Sequence, residues 1–467
     1  MRTDLDIPLE IDRSSAEPVG RQVASQLRHA IADGLLRSGD PLPSTRVLAQ
    51  RLGIARSTVV ACYLELEGEG WVNSSHGAGT FVTDRLTASL SARLPAPAGA
   101  AGPGALELRP GDLDPGLVPM SEWRRAWRGV APAGVPAPAA GSDELRTDLA
   151  GYLASSRGLR CRPEEIVVCA GTAEALLVLA LGLHWAGRTV AVEDPGYPPV
   201  RRLLAKLGTT VAPLDVTEPA AVPRRLTELT PDTAAVYLTP SHQYPLGHRM
   251  TVEDRHAVLT WSAATGAVLI EDDYDGEFRF DIPPVSSMAG LRPDARVAYL
   301  GTMSKVLDPG LRLAYLRVPP ALMPDVLDAR ESLASTVSVQ VQQAVSQFIR
   351  SGELARHIAR MRRVYADRRR VLLGALATVP CVTNIAGLEA GLHALVDLDP
   401  ALPASAIVRA AAARGLRIAD LDEFRARPDP ARPAILISYS SGEPAGLRRA
   451  GDILKECVEE VKGIMVP

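Results

Sequence analysis

Gly301-Thr302-Met303-Ser304-Lys305, followed by Arg312 seven residues after the lysine in Leu311-Arg312-Leu313, is the stretch on which the reading of this chain turns. It succeeds the apolar run Val297-Ala298-Tyr299-Leu300. That run reads as a buried strand, so the hydroxyl residues and the lysine fall where open α/β sheets present ligand sites. An amine there is suited to capture an aldehyde as a Schiff base. Most lysines are solvated surface charges, so Lys305 needs partners elsewhere to carry that chemistry.

From Leu106 to Pro467, helical and strand-like segments alternate, the pattern of an α/β domain with a mainly parallel sheet. Further buried strands are expected at Ile166–Cys169, Thr189–Val192, Ala234–Leu238 and Ala267–Ile270. Each ends in a polar or glycine-rich loop. Ala170-Gly171-Thr172-Ala173-Glu174 opens a helix expected over Ala175–Leu183, whose N-terminus suits a phosphate. Glu193-Asp194-Pro195-Gly196-Tyr197 presents a ring that can stack on a planar cofactor, although tyrosines more often cover apolar edges. Thr239-Pro240-Ser241-His242-Gln243-Tyr244 offers hydrogen bonds to a phenolic oxygen, and Glu271-Asp272-Asp273-Tyr274 offers carboxylates. Three consecutive acids can hold a metal, but no nearby His or Cys cluster supports that, and no metal site is expected.

Pyridoxal phosphate (PLP) makes these pieces cohere. It needs a lysine for its aldehyde, a carboxylate at its ring nitrogen, a hydroxyl donor to its ring oxygen, an aromatic over the ring, and donors for its phosphate. Lys305, Asp272, Tyr274, Tyr197, and the set Gly171, Thr172, Ala173, Thr302, Ser304 and Arg312 supply them, with His242 and Gln243 as further cofactor-binding candidates.

The N-terminal segment is of another kind. Val19, Val23, Leu27 and Ile31 repeat at helical spacing; Ser44 caps a short helix ended by Gly53; and Arg56-Ser57-Thr58 opens a third helix. Two short strands around Ser74–Ala78 complete a winged helix-turn-helix. Arg56, Ser57 and Thr58 begin the recognition helix, with Arg46 before it and His76 and Gly77 at the wing tip, so these are the DNA-contact candidates. Between the two regions, residues 85–105 are rich in Ala, Pro and Gly and are expected to be a flexible linker, which sets domains at 1–84 and 106–467.

Residues 18–82 resemble the winged helix-turn-helix domain of GntR-family regulators through Leu42-Pro43-Ser44-Thr45-Arg46, Leu52-Gly53-Ile54-Ala55-Arg56-Ser57-Thr58-Val59 and Gly70-Trp71. Residues 106–467 resemble fold-type I aminotransferases. The whole is similar to the MocR-type subfamily through Pro240–Met250, Glu271–Phe280 and Gly301–Arg312. The resemblance implies a homodimer in which the DNA-binding domain of one subunit lies against the large domain of the other, acting on an operator with two half-sites.

Composition agrees with a globular DNA-binding regulator without arguing for one. Hydrophobic residues make up 46% and charged residues 22%, and the net charge of −3 gives no general attraction to nucleic acid. Residues 18–82 hold six arginines against five acidic residues, so DNA binding must rest on local placement. The scattered cysteines, Cys62, Cys161, Cys169, Cys381 and Cys457, form no Cys-x-x-Cys pair, and no long apolar run or signal region is present. A cytoplasmic protein is expected, with no membrane association.

One departure from aminotransferases stands out. Where that fold holds the substrate carboxylate with an arginine on a strand near the C-terminus, Ala434-Ile435-Leu436-Ile437-Ser438 places Leu436. A leucine cannot hold a carboxylate. This favours a regulator in which PLP itself is the signal, with no catalytic residue assigned; among MocR-type proteins that resembles the PdxR branch, and the resemblance implies control of vitamin B6 synthesis. The alternatives are a MocR-type regulator sensing an amino compound through PLP, and a working aminotransferase that carries a DNA-binding domain.

Overall fold

The computed structural model describes residues 9–75, 79–83, 105–131, 134–280 and 286–465. The chain divides into two compact units, Met1–Gly99 and Ala100–Pro467. The expected linker, apart from residue 105, and the wing tip at His76 and Gly77 lie outside the described residues.

In the first unit, helices α1 (Val19–Ala32), α2 (Thr45–Leu52) and α3 (Arg56–Gly68) precede an antiparallel hairpin of β1 (Val72–Ser75) and β2 (Gly79–Val82). The Ser44 hydroxyl caps α2 by accepting from the Val47 N–H at 3.3 Å, and Gly53 ends the helix in the left-handed conformation, φ 62°. Val23, Leu27, Leu48, Val59, Leu66, Val72 and Val82 close one small core across all five elements. Tyr63 fastens α3 to the turn before α2 through its hydroxyl, which donates to the Pro43 carbonyl at 2.8 Å.

The second unit opens with the two-residue strand β3 (Leu106–Glu107). Its main sheet contains β4 (Ile166–Cys169), β5 (Thr189–Asp194), β6 (Thr210–Asp215), β7 (Thr233–Leu238), β8 (Val268–Asp272), β9 (Val297–Thr302) and β10 (Ala314–Arg317). Their spatial order is β4-β10-β9-β8-β7-β5-β6, and β10 alone runs antiparallel to its neighbours. The strands read as continuous apolar runs because both faces are covered. Val168, Ala191, Val236, Leu269 and Val297 enter one core, while their neighbours Val167, Val190, Ala235, Ile270 and Ala298 enter another. The five expected strands are all present. Strands β6 and β10 were not anticipated: β6 is interrupted by Pro213 at a sheet edge, and β10 follows Arg312 with only a short run.

A second, antiparallel sheet comprises β11 (Val382–Ala386), β12 (His393–Leu398), β14 (Ala419–Asp420) and β15 (Ala434–Ser438), in the order β11-β12-β15-β14. Strand β13 (Leu416–Arg417) pairs in parallel with β3, so the start of the unit is pinned near its end. The helices Glu353–Leu376, Ala404–Ala413 and Pro444–Met465 pack against this sheet around Leu372, Ile407, Ile435, Ile437 and Leu454.

Candidate functional site

The C-terminal ends of five strands meet at one cavity of about 260 Å³. Gly171, Thr172 and Ala173 reach it from beyond β4, Tyr197 from beyond β5, Tyr237 and Thr239 from β7, and Asp272 and Tyr274 from β8. Thr302, Ser304 and Lys305 come from the end of β9, with Arg312 following. Every cofactor candidate except His242 and Gln243 therefore lines a single space.

Lys305 is half-buried, and its amine donates to the Gly111 carbonyl. Burial pulls its pKa below the ordinary lysine value, opposed by the charges of Asp112, Asp275 and Asp272. Burial thus makes the neutral, nucleophilic amine less costly to reach here than at a solvated lysine. Across the cavity Asp272 is fully buried, and that burial pushes its carboxyl up to about 7. Tyr237 donates its hydroxyl to Oδ2 of Asp272, whereas Oδ1 is buried with no hydrogen-bond partner among the described residues. A buried oxygen left in that state is costly unless a donor arrives.

The third corner joins a helix N-terminus to an arginine. Gly171, at φ 100°, precedes the helix Thr172–Gly182, whose first N–H groups have no partner within the helix. Arg312, in the left-handed conformation at φ 46°, returns its guanidinium over this turn and donates to the Ala170 carbonyl at 3.3 Å. A Cβ on Gly171 would lie 2.8 Å from Arg312 Nη2, so glycine is what permits the approach. The Thr302 hydroxyl accepts from the Ser304 N–H at 3.0 Å, which shapes the turn into Lys305.

The two candidates that do not line the cavity stand behind its wall. His242 Nδ1 lies 2.9 Å from both the Tyr274 hydroxyl and an Asp275 carboxylate oxygen. Gln243 gives its amide to Glu193 at 3.1 Å and to the Pro195 and Tyr244 carbonyls at 2.9 and 2.7 Å. His242 Nδ1 and the Gln243 amide thus hold Tyr274 and the Tyr197 and Tyr244 loops, while His242 Nε2 is buried with no hydrogen-bond partner among the described residues. Sequence reading missed Tyr237 and Tyr244, and also Glu193, whose buried carboxylate takes the Thr239 N–H at 2.8 Å. Tyr244 packs edge-on against Tyr197, Tyr274, His393 and Phe424, making it the hub of an aromatic wall.

The three consecutive acids point to three different tasks. Glu271 accepts from the Met288 and Ala289 N–H groups at 2.8 and 3.0 Å, Asp272 faces the cavity, and Asp273 pairs with Arg157 at 2.7 Å. In the N-terminal unit Arg46, Arg56 and Ser57 are exposed and Thr58 is half-buried, with Arg56 Nε donating to the Thr45 hydroxyl at 3.3 Å.

Residues 136–452 match the family of aminotransferases class I and II, and residues 20–82 match the bacterial regulatory proteins of the gntR family. The HTH-type pyridoxine biosynthesis transcriptional regulator PdxR of Corynebacterium glutamicum is 34% identical, over 90% of this chain and 91% of that protein. The probable rhizopine catabolism regulatory protein MocR of Rhizobium meliloti is 32% identical, over 96% of this chain and 95% of that protein. This chain is a MocR-type member of the GntR family. The larger unit has the aminotransferase fold. An archaeal alanine:glyoxylate aminotransferase matches with a TM-score of 0.70 at 22% identity, covering 76% of this chain and 91% of that one. LysN, the alpha-aminoadipate aminotransferase of Thermus thermophilus, matches with a TM-score of 0.69 at 24% identity, covering 78% and 94%.

Folds of the aminotransferase class generally bind PLP, and the residues of this MocR-type chain fit it. The unpartnered Asp272 oxygen suits a protonated ring nitrogen, the Gly171 turn beneath Arg312 suits a phosphate, and the desolvated Lys305 amine suits an aldehyde. Leu436 lies on β15, fully buried between Leu395 and Ala419, and does not reach the cavity. Among the described residues the cations lining the cavity are Lys305 and Arg312. His393 also lines it, but burial holds its pKa down to about 3, so it is neutral.

A pH dependence follows. Burial raises Asp272 and Glu193 to about 7 in the ligand-free fold, from ordinary values of 3.8 and 4.5. The folded state then binds more protons than the unfolded chain between these values, so stability falls as pH rises through that window. The thermal midpoint of ligand-free protein should therefore drop between about pH 4 and about pH 7, and Asp272→Asn should flatten the slope. An unchanged slope in that variant would remove Asp272 as its source.

Proposed function

We propose that this MocR-type chain is a DNA-binding transcriptional regulator whose signal is PLP, captured covalently through Lys305, and that it controls genes of vitamin B6 synthesis. The observation that carries this reading is a full set of PLP-matched groups around a cavity with no arginine at Leu436 for an amino acid's carboxylate. The similarity to PdxR supports the same assignment.

When bound, PLP supplies an electrophilic aldehyde carbon and a protonatable ring nitrogen. Lys305 is the nucleophile, Asp272 holds the proton on the ring nitrogen, and Tyr237 orients Asp272. Tyr274 donates to the ring oxygen, with His242 behind it, and Tyr197 covers the ring. Gly171, Thr172, Ala173, Thr302, Ser304 and Arg312 receive the phosphate. The proposal extends to a cytoplasmic homodimer whose DNA-binding units, residues 1–84, are joined by residues 85–105 to the sensors and read two half-sites through Arg46, Arg56, Ser57, Thr58, His76 and Gly77.

The chain has four lysines: Lys206, Lys305, Lys455 and Lys462. Borohydride reduction after PLP addition, followed by peptide mass mapping, should place the adduct on Lys305 ahead of the other three. Operator affinity, measured at one salt concentration on a site selected from random duplex DNA, should change as PLP is titrated. Equal affinity with and without PLP would refute sensing. Efficient conversion of the bound cofactor to its pyridoxamine form by amino acids would instead favour an enzyme.

A further inference from the structure

The segment that enters the larger unit is fastened almost wholly to the C-terminal sheet and its helices. The Leu106 and Leu108 N–H groups donate to the Gly415 and Arg417 carbonyls at 2.7 and 2.9 Å, and the Leu108 carbonyl accepts from the Ser438 N–H at 2.7 Å. The Ser441 hydroxyl donates to the Glu107 carbonyl at 2.8 Å, Ser440 holds the Asp112 carbonyl, Arg109 pairs with Glu423, and Arg368 with Asp114. Leu108 is buried in the core of the same sheet, with Leu106, Leu113 and Leu117 against it.

One polar contact in the segment leaves this pattern. Among the hydrogen bonds and ion pairs of described residues 105–117, only that from Lys305 to the Gly111 carbonyl crosses to the seven-stranded sheet. Gly111 takes φ 122°, a conformation open to glycine, and a Cβ there would sit 3.6 Å from Lys305 Nζ. The entry segment thus reaches the cavity at its middle, with Pro110 and Gly111 in the lining and Gly111 held by the amine proposed to react.

We infer that Lys305 is a latch: in the ligand-free protein its amine holds the entry segment through Gly111, and capture of an aldehyde releases it. This rests on the PLP reading above. In the capture step the Lys305 nitrogen forms a double bond to the aldehyde carbon, the carbon–oxygen double bond is broken, and the oxygen leaves as water with both amine hydrogens. The trigonal nitrogen left behind has surrendered the hydrogens that the amine offered to Gly111. The segment, still tied to the C-terminal sheet, is then free to shift with that sheet, and residue 105 continues directly into the stretch leading to the DNA-binding unit. A ligand effect of this kind needs a contact that differs between the two states, and the latch supplies one.

Hydrogen exchange of the full-length protein, read on peptides covering residues 105–118, tests this. Exchange in the wild type should rise about fivefold on PLP addition, as expected for losing one tethering hydrogen bond. A ligand that merely tightened its surroundings would slow it instead. Visible absorbance of the same sample reports capture independently. Absorbance without faster exchange overturns the latch and leaves the PLP reading intact; no absorbance overturns the PLP reading. The latch is also tested without PLP: ligand-free Lys305→Met should already exchange at the faster rate, and exchange at the ligand-free wild-type rate would overturn it. Lys305→Arg, which keeps a donor but cannot condense, should stay slow with and without PLP, and acceleration by PLP would count against the latch.

Discussion

Lys305→Ala is expected to abolish the visible absorbance of the PLP-treated protein and its borohydride-stable adduct, and to make operator affinity insensitive to PLP. The variant keeps the Gly171 turn and Arg312, so phosphate contacts remain and binding becomes reversible and non-covalent. Affinity for PLP should fall on the order of a hundredfold, about 2.7 kcal/mol. The level at which operator affinity settles is informative in itself. With the contact to Gly111 gone, the variant should sit near the value of PLP-saturated wild type, although it binds no cofactor covalently. Retained PLP-responsive DNA binding in this variant would show that the signal does not pass through the lysine.

The second large effect concerns stability. Arg157 is buried between two carboxylates, 2.7 Å from Asp273 and 2.8 Å from Glu277, and its guanidinium also donates to the Gly276 carbonyl at 2.9 Å and the Tyr299 hydroxyl at 3.1 Å. Tyr299 in turn donates to Asp273 at 2.7 Å. Replacing Arg157 with methionine keeps the length of the side chain but leaves two acids buried without a cation. The expected cost is about 3–5 kcal/mol, read as a lowered urea midpoint. Because Asp273 lies between Asp272 and Tyr274, the same change should loosen the turn that presents both to the cavity and weaken PLP binding. Adding Glu277→Gln to the variant should recover part of the loss, since one stranded charge is then removed. A shift below about 1 kcal/mol would mean that the acids are neutralised some other way.

How much of this was legible beforehand depends on how far each feature is spread along the chain. Strands buried on both faces are continuous apolar runs, so Ile166–Cys169 and Val297–Leu300 were readable, and the polar residues at their ends could be assigned to one site. Tyr237 was hidden because it lies within such a run and contributes its ring to the core while turning its hydroxyl to Asp272. His242 and Gln243 were read correctly as polar loop residues, but whether such a residue faces the cavity or supports its wall is a matter of side-chain direction, which spacing does not encode. Gly111 was invisible for a different reason: its partner, Lys305, is 194 residues away, and nothing local marks the pairing. In the second sheet β14 was equally obscure, being only two residues long.

Strand β3 is just as short, yet it bears on where the chain can be divided. Leu106 and Glu107 are clamped to Leu416 and Arg417, so the first element of the larger unit is secured by that unit's own backbone. Because this clamp lies wholly within the larger unit, a junction placed upstream of residue 105 leaves it intact. Replacing the N-terminal unit at that junction should therefore leave the pairing of Leu106 and Glu107 with Leu416 and Arg417 in place, so a two-residue strand sets where the chain can be cut and rejoined.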